Sequence, residues 1–89
     1  MNPNRAEAYR HRGDVYTYEA KPEQAILDYS KAIEINPENA ELYQARALVY
    51  FITKDYDKSW SDVRRAESLG LPARSKFLEA LKEASRRDS

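Results

Sequence analysis

The chain contains no cysteine. Disulfides and thiolate metal sites are therefore excluded, while the cysteine count by itself leaves the compartment open. Its one histidine, His11, has no second histidine or cysteine with which to share a metal, and reads as a helix-surface residue. Only two glycines are present, and neither belongs to a phosphate-cradling loop. Charge of one sign is lacking too: fifteen bases meet fifteen acids, so no global field draws the chain to nucleic acid or to an acidic membrane. No apolar run approaches the roughly 18 residues a spanning helix needs, and the first residues hold no signal-peptide core. These absences favour a cytoplasmic protein with no cofactor, no metal and no catalytic constellation of the Ser/His/Asp kind.

What is present favours helix. Ala, Glu, Lys, Arg and Leu dominate the 89 residues, enough for one domain with a thin core. Pro3, Pro22, Pro37 and Pro72 are spaced so that helices of 13 to 15 residues fit between them. The pattern predicts five helices, over 5–19, 22–35, 39–53, 56–69 and 72–86. Each repeats apolar residues at intervals of three and four. The stripes are Tyr9, Gly13 and Tyr16, then Ala25, Ile26, Tyr29, Ala32 and Ile33. Tyr43, Ala47 and Tyr50 follow, flanked by Leu42 and Val49, then Trp60, Val63, Ala66 and Leu69. The last stripe is Phe77, Leu78, Ala80, Leu81 and Ala84. Asn39 suits a helix N-cap and Gly70 a left-handed C-cap, with Leu71-Pro72 opening the last helix. Gly13, inside a helical pattern, costs about 1 kcal/mol against alanine and so marks a close helix–helix approach. Short loops force neighbouring helices antiparallel.

The phrase NPNRAEAY near the start returns 34 residues later as NPENAELY. Under that shift Tyr9, Arg12, Val15 and Tyr16 fall on Tyr43, Arg46, Val49 and Tyr50, and Asp28 and Ala32 fall on Asp62 and Ala66. A period of 34 built from two helices resembles the tetratricopeptide repeat. The first copy matches that pattern through Tyr9, Gly13, Tyr16, Ala25, Tyr29, Ala32 and Pro37. The second keeps Tyr43, Ala47, Tyr50 and Ala66 but has Ser59 for the usual alanine, Val63 for the aromatic, and Gly70-Leu71 for Asn-Pro. The resemblance implies an all-α solenoid of stacked antiparallel hairpins in a single domain 1–89. It would comprise one repeat over 6–39, a second over 40–71 and a capping helix over 72–86. Asn2-Pro3 resembles the tail of a preceding repeat; either the phrase simply caps the first helix or, as is expected here, the chain is a segment of a longer array or is engineered from such repeats.

The resemblance also implies a concave groove, lined by the first helix of each repeat, that holds a peptide or a partner helix. Carried onto this chain, the groove residues are Arg10, Asp14, Thr17 and Tyr18, then Gln44, Leu48, Phe51 and Ile52, then Leu78 and Lys82, with Glu7, Ala45, Ser75 and Arg86 beside them. Leu48, Phe51 and Ile52 exceed what one buried stripe needs, so they either form an apolar patch or are covered by the fifth helix. One subgroup of the family clamps the C-terminal carboxylate of heat-shock chaperones with Lys/Arg and Asn. Here Arg10 matches, but Asp14 and Ala45 stand where Asn is expected and Leu78 where Lys is expected; Lys82 could replace a final Arg. An acid beside the clamp repels a carboxylate, so an EEVD-type tail is expected to bind weakly or not at all.

The functional expectation is a non-enzymatic protein–protein interaction module. The alternative is a structural scaffold whose stack ends pair with copies of itself or with further repeats. Binding of nucleic acid through Arg64-Arg65 or Arg86-Arg87 would need a basic excess that the chain lacks; these read as surface ion pairs and a cationic helix end. Trp60 is expected to pack within the second hairpin.

Overall fold

In a computed structural model, which describes residues 3–88, the chain forms five helices: α1 (Pro3–Tyr18), α2 (Pro22–Ile35), α3 (Ala40–Ile52), α4 (Tyr56–Ser68) and α5 (Ser75–Asp88). Asn2, the first residue of the leading Asn-Pro phrase, lies outside the described residues. The fold is the all-α stack of hairpins that the 34-residue period implies: α1 packs on α2, α2 on α3, α3 on α4 and α4 on α5. Among the described residues no helix is long and apolar enough to cross a membrane.

The helix ends explain the tight hairpins. At the end of α1, Lys21 N–H donates to the Tyr16 carbonyl and Ala20 N–H to the Thr17 carbonyl. At the end of α3, Asp55 N–H donates to Tyr50 and Lys54 N–H to Phe51. Leu71 and Gly70 make the same pair of bonds to Ala66 and Glu67 at the end of α4. Each is a Schellman closure, which places one residue at positive φ. Only the third uses glycine, Gly70 at +99°; Ala20 at 60° and Lys54 at 65° occupy the same left-handed region with a side chain. At the other end of α3, Asn39 Oδ1 accepts from Glu41 N–H at 3.1 Å, the cap the sequence calls for.

The last helix starts three residues later than the proline suggests. Pro72 disfavours helix at the residue before it, and residues 71–74 remain irregular before Ser75 begins α5. The linker touches the core through half-buried Ala73, which, like Phe51, Tyr56, Trp60, Phe77 and Leu78, packs against buried Ala47, Val63 and Leu81. Leu81 is the buried centre of α5, whereas Ala80, placed on its apolar stripe by the periodicity, is exposed. Trp60 joins this second cluster and its Nε1–H donates to Ser85 Oγ at 3.3 Å, so it ties α4 to α5. The first cluster is built on Ala25, Tyr29 and Val49, with Tyr16, Ile26 and Ala45 against it.

Two buried carboxylates repeat with the period. Asp28 accepts two bonds from Arg12, at 2.7 and 2.9 Å, and Asp62 accepts two from Arg46, both at 2.8 Å. Each arginine also lies beside two tyrosine rings, Tyr9 and Tyr16 for Arg12, Tyr43 and Tyr50 for Arg46. The fork geometry satisfies carboxylates that burial would otherwise penalise. These pairs tie the two helices of each hairpin together across the aromatic stripe. The matching positions were legible in the sequence; their pairing was not, because it depends on which faces the helices turn to each other.

Candidate functional site

Helices α1, α3 and α5 turn one face toward two adjoining hollows. The first, of about 280 Å³, is lined by Asp14, Thr17 and Tyr18 of α1, Tyr29 of α2, and Ala45 and Leu48 of α3. The second, of about 310 Å³, is lined by Glu41, Gln44, Ala45 and Leu48 of α3, Ala73 and Arg74 of the linker, and Phe77 of α5. Ala45 and Leu48 belong to both, so α3 forms the ridge between them. Leu48 is exposed on that ridge, and Tyr18 is 93 % exposed at the rim of the first hollow.

The polar wall of the first hollow is ordered. Tyr29 O–H donates to Asp14 Oδ1, and Thr17 Oγ1 donates to the Gly13 carbonyl at 2.9 Å. Burial, and then the hydrogen bond to Asp14, push the Tyr29 hydroxyl up to about 12. Asp14 is thus held by a hydroxyl that stays protonated through the physiological range. Beside it, Arg10 forms a two-pronged pair with Glu7, both bonds at 3.0 Å, and lies 3.8 Å from Asp14 Oδ2. The Glu7 bond raises the Arg10 guanidinium above its ordinary value, and Arg10 in turn lowers Glu7. The negative charges of Asp14 and Glu41 raise Arg10 in the same direction.

Of the sequence-derived groove residues, Asp14, Thr17, Tyr18, Gln44 and Leu48 line the two hollows, and Arg10 stands next to them. Phe51 is half-buried against Phe77, ring centroids 5.5 Å apart, and against Tyr56 at 6.1 Å. Leu78 also packs on the second cluster. Ile52 and Lys82 are exposed but line neither hollow. The two readings of the apolar surplus on α3 thus divide: the α5 side covers Phe51, while Leu48 and Ile52 stay open. Tyr29, Glu41, Ala73, Arg74 and Phe77 are lining residues absent from the sequence-derived set. In the sequence Tyr29 and Phe77 read as packing residues, and Ala73 and Arg74 fall in a helix that begins later than expected.

The comparisons with known proteins agree with this architecture. The family model described as TPR repeat matches residues 13–52. The chain belongs to the tetratricopeptide-repeat family. It is 30 % identical over 69 residues to human tetratricopeptide repeat protein 13, a match covering 78 % of this chain and 8 % of that protein. It is 40 % identical over 65 residues to human serine/threonine-protein phosphatase 5, covering 73 % of this chain and 13 % of that protein. Among solved structures, the first TPR of Spaghetti bound to the HSP90 peptide SRMEEVD superposes with a TM-score of 0.76 at 28 % identity. That match covers 79 % of this chain and 56 % of the other. The chain thus spans a small fraction of the curated relatives it matches, and the phosphatase activity in one relative's name does not transfer with 13 % of its length. The tetratricopeptide fold is a protein-interaction module.

Proposed function

We propose that the chain is a non-enzymatic module that holds a peptide or partner helix along the face shared by α1, α3 and α5. Leu48 would supply the apolar anchor, with Tyr18, Asp14, Thr17, Gln44 and Arg10 around it. The observation that carries this reading is the pair of adjoining hollows with an exposed leucine on their common ridge. A related stack that holds an HSP90 peptide supports the class of ligand. The unit would consist of repeats 6–39 and 40–71 closed by a final helix. Retention of partners from lysate by the intact chain and by a Leu48→Glu variant of equal helicity tests the reading. Proteins kept only by the intact chain support it; identical retention refutes it. A peptide ending in EEVD is expected to bind weakly, because Asp14 and Glu41 repel its carboxylates and Glu7 already occupies Arg10.

A second reading, a self-assembling scaffold segment, draws on the outer face of α1. Arg5, Ala8, Tyr9 and Arg12 line an open hollow there, and Val15 is exposed beside it. Light scattering over a concentration series separates the two readings, since only self-assembly makes the mass rise with concentration.

A further inference from the structure

Resting on that reading of the groove, the chemistry of its walls also points to the occupant. Asp14 is the only charged residue lining the first hollow; the other walls are Thr17, the rings of Tyr18 and Tyr29, and apolar Ala45 and Leu48. A carboxylate among aromatic and aliphatic walls fits a long cationic side chain. Its methylene stem covers Leu48 and Ala45, and its head meets Asp14 and the face of Tyr18. The second hollow differs. Ala45, Leu48, Ala73 and Phe77 dominate it, with Glu41 and Arg74 of opposite charge cancelling there. It fits an apolar side chain. Arg10, 3.8 Å from Asp14 beside the first hollow, is held by both oxygens of Glu7, so Glu7 and Asp14 together outweigh its charge and an arriving carboxylate meets net negative charge.

We propose that the groove binds an internal segment of a protein partner that places a lysine or arginine in the first hollow and a neighbouring apolar side chain in the second. Recognition runs through Asp14 and Leu48 and needs no free carboxyl terminus.

The test uses fluorescein-labelled peptides of one length with blocked ends, identical except at one position next to a leucine, where they carry lysine, norleucine or glutamate. Fluorescence anisotropy of the intact chain should show the lysine peptide binding about tenfold more tightly than the glutamate peptide. Asp14→Asn keeps an acceptor for the Tyr29 hydroxyl, so the fold and its circular dichroism should be retained. In that variant the preference should fall below about threefold, and Leu48→Glu should weaken binding of the norleucine peptide. Equal binding of all three peptides that Leu48→Glu abolishes would overturn the charge assignment and leave the groove standing. An undiminished lysine preference in Asp14→Asn would also overturn it. No binding of any peptide would overturn both.

Discussion

The two copies of the repeat carry the same phrase in different surroundings. Val15 and Val49 are equivalent under the 34-residue shift, yet Val15 is 51 % exposed and Val49 is 1 % exposed. The Arg12 side chain is 59 % exposed and that of Arg46 is 19 % exposed. The difference has one cause. The outer face of α3 is covered by α2, whereas among the described residues the matching face of α1 has no helix against it. Arg46 therefore also donates to Ser30 of α2 at 2.9 Å, while among the described residues Arg12 meets its carboxylate and the tyrosine rings. In a stack, the same residue contributes to stability in proportion to the neighbour it meets.

A second difference shows compensation inside each hairpin. Gly13 and Tyr29 are the counterparts of Ala47 and Val63. A Cβ at Gly13 would stand 2.8 Å from Tyr29 Cε1, so the first hairpin combines a large ring with the absence of a side chain. The second combines two middle-sized residues, both buried. Ser59, in the place of Ala25, is fully buried but satisfied, its Oγ donating to the Ala47 carbonyl at 2.8 Å.

Breaking the comparison gives graded outcomes. Tyr43 is buried and its hydroxyl donates to the Pro37 carbonyl at 2.8 Å, so Tyr43→Ala should cost about 3 kcal/mol by chemical denaturation. Tyr9→Ala, at the half-buried equivalent position, should cost clearly less; equal losses would contradict the role given to α2 as cover. Gly13→Ala should destabilise by about 2 kcal/mol through overpacking against Tyr29. Adding Tyr29→Val should remove most of that clash, so a double-mutant cycle with no coupling would disprove the compensation. Val49→Ala should cost about 1.5 kcal/mol and Val15→Ala under about 0.5 kcal/mol, a contrast that melting curves of the two variants would resolve. The smallest effect has the opposite sign. Lys54→Gly relieves a positive φ and should raise stability by about 0.5 kcal/mol, whereas Gly70→Ala at φ +99° should lower it.

The faces of α1 and α3 that border the two hollows were legible through the resemblance to the repeat, which implies Asp14, Thr17, Tyr18, Gln44 and Leu48 on the first helix of each copy. Phe51 shows the limit. It lies three residues after Leu48 and has the same sequence credentials as a ligand anchor, yet Phe77 and Tyr56 enclose it. Tyr29 shows the reverse: a stripe residue of α2 whose hydroxyl edge reaches the hollow and holds Asp14.

By itself the sequence determined the helices, their pairing and their period. Proline spacing, apolar recurrence and the doubled phrase are local signals, and short loops leave few ways to arrange five amphipathic helices. Only the tertiary structure decided which copy of each residue is covered, where α5 begins, and how Arg12 and Arg46 find Asp28 and Asp62. Those outcomes depend on contacts between residues 16 or more positions apart, set by how far one helix rotates against the next. A single chain's periodicity tells which face is apolar, but it does not tell what that face will meet.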